Sequence, residues 1–228
     1  MKLYELAAAY QIFGSGGVYY KPALYSRVTD NTGREVLKQD TTGTQALARD
    51  SAYVVNRMML QVIQDPAGTG QHAKIPGIEV VGKTGTENDN KNLLFAGLTP
   101  EYVGIYRIGY DDGHTIPPYN TGNWQTLARV WNKVMTGTVY KDGTQNSIKV
   151  FPMDSEVVVR NFCSTTGLLA TSNCPSTQVG YYRKSNMPAV CDATVHDYNT
   201  YWSTHGDHRI PYYHANGTLT EEITAPAS

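Results

Sequence analysis

A lysine bracketed by glycines stands in Gly82-Lys83-Thr84-Gly85-Thr86, after Val80-Val81 and before the polar run Glu87 to Asn92. β-Branched residues favour extended backbone, and glycines in a strand let a second backbone approach closely. A cation and two hydroxyls on such a strand suit an extended ligand that ends in a carboxylate. Main-chain hydrogen bonds would hold its length, and Lys83 with Thr84 and Thr86 its charged end. The same letters satisfy a second pattern, because Gly77-Ile78-Glu79-Val80-Val81-Gly82-Lys83-Thr84 fits the G-x-x-x-x-G-K-[ST] phosphate loop. That loop needs a flexible turn before the lysine and a helix after it. Ile78 to Val81 read as strand, and Gly85 with a polar run follows, so nucleotide binding ranks below peptide capture.

Elements on both sides must position this strand. Leu3, Leu6, Ala7, Tyr10 and Phe13 recur at helical spacing and stop at Gly14 and Gly16-Gly17. Val18 to Pro22 reads as a short extended piece. Leu24 to Thr29 and Arg34 to Leu37 flank Asp30-Asn31-Thr32-Gly33, a hairpin signal. A polar connection runs from Gln39 to Gln45. Asp50 is a cap for a second helix, whose apolar face is Val54, Val55, Met58, Met59, Val62 and Ile63. Asp65-Pro66, Gly68 and Gly70 end it. Beyond the Lys83 strand, Leu93 to Thr99 and Tyr102 to Tyr110 complete a three-strand antiparallel meander. After the loop 111–121, Trp124, Leu127, Ala128, Trp131, Val134 and Met135 form a helical stripe that covers the sheet. The expected class is α+β, an antiparallel sheet packed by helices.

The chain has 228 residues, enough for one sizeable domain with an appendage. The organisation expected is a domain over 1–140 and a loop-rich, cysteine-containing extension over 141–228, with Val157 to Arg160 as a strand and the last dozen residues disordered. A net charge of −1 and 17% charged residues argue against nucleic-acid binding. No apolar run reaches the roughly 20 residues that cross a bilayer. Residues 3–13 carry Glu5 and Gln11 and no basic lead, unlike a signal peptide. The chain opens directly into an amphipathic helix, which reads as a fragment.

These signals together resemble the transpeptidase domain of class A penicillin-binding proteins. Leu6-Ala7-Ala8-Ala9-Tyr10, Phe13-Gly14-Ser15-Gly16-Gly17-Val18 and Lys21-Pro22 resemble its helix-to-strand passage. Ala52-Tyr53, Met58-Met59, Gly68-Thr69-Gly70 and Gly82-Lys83-Thr84-Gly85-Thr86 follow in the family's order. So do Asn88-Asp89-Asn90-Lys91, Phe95-Ala96-Gly97-Leu98-Thr99-Pro100 and Gly109-Tyr110-Asp111-Asp112. The likeness covers about 3–137. Cys163 to Ala170 and Asn173-Cys174-Pro175 are similar to the family's C-terminal extensions. It implies part of the serine β-lactamase and penicillin-binding fold, at the outer face of the cytoplasmic membrane. The chemistry implied is acyl transfer from D-Ala–D-Ala stems of peptidoglycan, with β-lactams as substrate mimics and no cofactor.

The family's transpeptidase uses S-x-x-K, S-x-N and K-T-G motifs, and only the last is found here. None of the eleven serines has a lysine three residues on or an asparagine two residues on. By resemblance this chain is the substrate-holding half. Lys83, Thr84 and Thr86 would engage the substrate carboxylate, Gly85 would permit close approach, and the Thr86 N–H would be one oxyanion donor. Alone it is expected to be inactive and to self-associate through surface that the family's other half covers. A non-catalytic peptide- or wall-binding module is the alternative. One departure is Leu93-Leu94-Phe95, where the family often carries a tryptophan.

Cys163, Cys174 and Cys191 all lie in the extension. In an exported protein two of them could close a disulfide, and Cys163–Cys174 gives the shortest loop, although connectivity does not follow from sequence. With His196 they count as a Cys₃His set, but no tight C-x₂₋₄-C pair of the zinc type is present, so no metal is expected. His205, His208 and His214 read as solvated surface residues.

Overall fold

The computed structural model describes residues 2–86, 90–116, 125–144 and 146–192, together with the backbone of 209–213 and 219–224. Glu87, Asn88, Asp89, Trp124 and the four histidines 196, 205, 208 and 214 lie outside the described residues. Two compact units are present, Met1–Asp154 and Ser155–Ser228.

In the first unit, helix α1 (Leu3–Gln11) leads to β1 (Val18–Tyr20). The hairpin of β2 (Arg27–Thr29) and β3 (Glu35–Lys38) turns at Gly33, where φ is 86°. Asp30 holds that turn, its carboxylate accepting from the Thr32 and Arg34 amides at 2.9 and 3.0 Å. The connection read as irregular contains β4 (Gly43–Gln45), paired antiparallel with β1. Three residues with no apolar alternation give no strand signal. Their extended form comes from the partner strand instead.

Helix α2 (Arg49–Gln64) begins after Ala48, so Asp50 sits inside its first turn and is not the cap. Its buried face is Ala52, Asn56, Arg57, Met59, Leu60 and Ile63, whereas Met58 is 66% exposed. The aliphatic pattern set the face slightly askew because it passed over two polar residues that turn inward. Asn56 donates to the Phe13 carbonyl at 3.1 Å and so ties α2 to the end of α1.

The central sheet is the expected meander, in the order β5 (Val81–Thr86), β6 (Asn92–Leu98), β7 (Val103–Gly109). Its β6–β7 turn is closed by Thr99, whose hydroxyl accepts from the Tyr102 amide at 3.1 Å and from the Tyr140 phenol at 2.7 Å. Opposite partners in an antiparallel pair share a face. Val81 and Leu98 lie on one, with Met59, Leu60 and Phe151. Phe95 lies on the other, with Trp131 and Leu127 of α3 (Gln125–Gly137). The Trp131 indole lies against Gly97 and Gly104, where an added Cβ would come within 2.5 and 2.6 Å of it. Glycine at these two positions is therefore a packing requirement.

The first compact unit runs to Asp154, with Lys149 and Phe151 packed back onto it. Glu79 donates its amide to the Lys149 carbonyl at 2.7 Å, and Phe151 is 4% exposed.

In the second unit, β8 (Val157–Cys163) pairs antiparallel with β9 (Thr177–Arg183), and β10 (Arg209–Tyr213) with β11 (Leu219–Thr224). Two hairpins thus stand where the sequence suggested a β-poor extension, one of them reaching into the last dozen residues. In β9, β10 and β11 tyrosine, threonine and charged residues stand where aliphatic residues would show the alternation.

Candidate functional site

Lys83 lies in the middle of β5, opposite Ala96 of β6. Strand alternation puts it on the face shared by Val81 and Gly85, while Thr84 and Thr86 occupy the other. Its side chain is exposed, and the ammonium donates to the Thr84 carbonyl at 2.7 Å. Val81 and Gly82 are buried, so the accessible part of the strand is Lys83 to Thr86. Among the described residues β5 pairs with β6 alone, leaving it at the edge of the sheet.

A second hydroxyl residue joins this group from the loop after α2. Thr69 and Thr84 share a hydrogen bond of 2.7 Å between their side-chain oxygens. The loop is fixed by the helix end: the Gly68 amide bonds the Asp65 carbonyl and the Gly70 amide the Val62 carbonyl, both at 2.8 Å. Gly70 has no room for a side chain, since a Cβ would stand 2.7 Å from the Ile63 methyl. A hydroxyl between two glycines, upstream of the lysine strand, was the available sequence signal. Its contact with Thr84 is a tertiary fact that spacing does not contain.

Glu79 holds the strand at its entry. Arg57 of α2 meets its carboxylate in a two-pronged ion pair, with Nη1–Oε1 at 2.6 Å and Nη2–Oε2 at 2.8 Å. The Phe151 amide donates to the same carboxylate at 2.9 Å. The two side chains are 5% and 13% exposed. Burial alone would raise the Glu79 carboxyl, but the Arg57 hydrogen bond and charge, together with the Phe151 amide, hold it below the ordinary glutamate value. Arg57 also stacks over Tyr53, 4.8 Å from the ring centre. Sequence reading missed both members. They stand 22 residues apart, one inside an apolar helix face and one just ahead of an apolar strand.

Lys83 is not placed as a phosphate-loop lysine. Ile78 and Val80 are buried in the core, and Thr84 is followed by the rest of a strand, so among the described residues no helix N-terminus follows the lysine directly. No helix among the described residues is long and apolar enough to cross a membrane.

The extension carries a separate group. The sulfurs of Cys163, Cys174 and Cys191 lie within 4.8 Å of one another. The third cysteine is thus brought into the same small group as the other two, and no pairing is singled out.

Residues 3–104 match the penicillin binding protein transpeptidase domain. Penicillin-binding protein 1A of Clostridium botulinum is 37% identical over 130 residues, which are 57% of this chain and 15% of that protein. Penicillin-binding protein 1A of Clostridium tetani is 31% identical over 196 residues, 82% of this chain and 24% of the relative. The chain therefore spans a quarter or less of these relatives' length. The crystal structure of penicillin-binding protein 1A from Haemophilus influenzae superposes with a TM-score of 0.64 over 81% of this chain and 32% of that one. At 18% identity this is a likeness of fold.

Proposed function

Residues 3–104 of this chain belong to the penicillin-binding protein transpeptidase family, and from that premise we propose that β5 is the substrate-holding edge of a peptidoglycan D,D-transpeptidase. The observation that carries the reading is the stretch Lys83 to Thr86 on an edge strand, exposed at Lys83 and Thr86 and half-buried between them, with a cation on one face and hydroxyls on the other. A peptide laid along this edge gains main-chain hydrogen bonds, and its terminal carboxylate meets charge-assisted partners. Lys83 supplies the positive field; Thr84 and Thr86 supply hydroxyl donors. The amide of Thr86 is one donor to the oxygen that becomes negative when the substrate carbonyl is attacked. Gly85 lets that carbonyl come close to the strand.

Transpeptidation also needs a serine nucleophile and its base. No serine here stands in an S-x-x-K or S-x-N setting, so on this reading the chain holds substrate and does not itself form the acyl-enzyme. The substrate class is a peptidoglycan stem ending in D-Ala–D-Ala, met outside the cytoplasmic membrane. β-Lactams enter the same place as mimics.

Two measurements on the chain test this. A peptide ending in D-Ala–D-Ala binds, and Lys83→Ala weakens it about tenfold to a hundredfold, the loss of one charge-assisted hydrogen bond. Equal affinity of the two proteins would remove Lys83 from the carboxylate. After incubation with penicillin the intact mass is unchanged; an added acyl mass would mean that the chain contains its own nucleophile.

A further inference from the structure

The three cysteines of the second unit come from three separate backbone segments. Cys163 ends β8, opposite Thr177. A tight turn follows it: the Gly167 amide bonds the Cys163 carbonyl and the Cys163 amide the Leu168 carbonyl, both at 2.8 Å. Gly167 makes this turn possible with a φ of 74°. Cys174 closes a second turn by donating its amide to Thr171 at 3.2 Å. Cys191 arrives on a third segment, held in parallel register by Leu169. The Leu169 amide bonds Ala189 at 2.9 Å, and the Cys191 amide bonds Leu169 at 2.8 Å. The three thiols are thus placed by main-chain hydrogen bonds.

From this framework we propose that Cys163, Cys174 and Cys191 bind a single zinc ion that staples the extension. Their sulfurs lie within 4.8 Å of one another. Three thiolates about 2.3 Å from one tetrahedral ion stand about 3.8 Å apart, so a small inward movement completes the site. Soft thiolate ligands select zinc, copper(I) or iron–sulfur clusters. A cluster spreads its cysteines around several iron atoms, and sulfurs this close fit one ion. Zinc in this setting has no redox chemistry to lose in an oxidising compartment.

The surroundings are those of ligands. The Thr171 amide points at the Cys174 sulfur at 3.3 Å, and the Thr166 hydroxyl lies 3.2 Å from the Cys191 sulfur. Such contacts orient and steady thiolates around a metal. Cys163 is fully buried and Cys191 is 3% exposed. Together with Leu168 they make up the buried cluster of the second unit, and Cys174 packs against it. Among the described residues of the second unit the buried side chains are Val157, Cys163, Leu168 and Cys191, and a cross-link through the sulfurs would tie their three segments together. A disulfide would use two sulfurs and leave the third beside it, whereas zinc uses all three. Each thiol gives up its proton as the metal binds, and a fourth ligand completes the tetrahedron.

The test is elemental analysis of the full chain purified with zinc present and then freed of loose metal by gel filtration. About one zinc per chain is expected. Cobalt(II) in its place should give thiolate-to-metal charge-transfer absorption and the visible bands of a tetrahedral site, whose positions identify the fourth ligand. Cys163→Ser, Cys174→Ser or Cys191→Ser should each lower zinc retention at least about tenfold, since losing a direct ligand costs no less than losing one of the outer partners that orient it. Unfolding the unreduced, metal-free chain should expose three titratable thiols. Wild-type chain that carries no zinc and shows three thiols would overturn the proposal. One thiol and a disulfide would overturn it in favour of a covalent staple. Neither result bears on peptide binding at β5, so the two proposals fail separately.

Discussion

Replacing Glu79 by alanine is expected to cost the first unit about 3–5 kcal/mol, because it leaves the Arg57 guanidinium buried without its carboxylate. Arg57→Ala should cost as much for the opposite reason. The Arg57→Met, Glu79→Leu pair should recover most of the loss, since an apolar pair of similar volume avoids burying charge. Urea unfolding followed by circular dichroism measures all three variants. An Arg57→Ala or Glu79→Ala chain within about 1 kcal/mol of wild type would show that the pair contributes as little as a surface ion pair.

The same carboxylate sets a pH dependence whose sign is fixed. Glu79 is depressed in the folded chain, so its contribution is complete above the unfolded value, about 4.3. It is lost progressively as the pH falls from there through the folded value. Stability measured over that acid range should fall more steeply for wild type than for Glu79→Gln, which has nothing to protonate. Parallel curves would assign acid sensitivity to other carboxylates.

Trp131→Ala carries the other large expected effect, about 3–5 kcal/mol. The ring is fully buried, meets Phe95 edge to face at 5.9 Å, and fills the space that Gly97 and Gly104 leave open. Neither glycine can supply side-chain atoms to close the resulting cavity, so the site cannot collapse. Trp131→Phe should recover part of the loss. Among the described residues the indole N–H has no hydrogen-bond partner, so that exchange sacrifices packing and no polar contact seen there. A loss below about 1 kcal/mol in Trp131→Ala would mean that α3 slides to refill the gap.

How far these features are legible in the sequence depends on their range. The meander announces itself through apolar strands with short turns, and the α3 stripe through Leu127, Ala128, Trp131 and Met135, which are buried, whereas Val134 of the same expected stripe is 37% exposed. Lys83 and its neighbours stand out through the short motifs around them, which follow one family's order, since alone they read equally as a surface strand. What sequence reading loses is what depends on a distant partner. Asn56 and Arg57 look like interruptions of an apolar face until Phe13 and Glu79 are seen to receive them. β4 has no pattern of its own and exists through β1. The three cysteines show no close pair in sequence. Here Leu169 brings the third cysteine close through hydrogen bonds that no spacing rule contains.

The position of β5 at the border of its sheet has a consequence for amide hydrogen exchange. Along its open stretch every second N–H points to β6 and is sheltered in the ladder, while the alternate ones face outward. The free chain therefore carries a two-residue rhythm of slow and fast exchange from Lys83 to Thr86. A peptide seated along that border would silence the fast half of the rhythm and leave the slow half as it was. A ligand that touched only the lysine side chain would leave both halves unchanged, so backbone exchange separates strand addition from simple charge pairing.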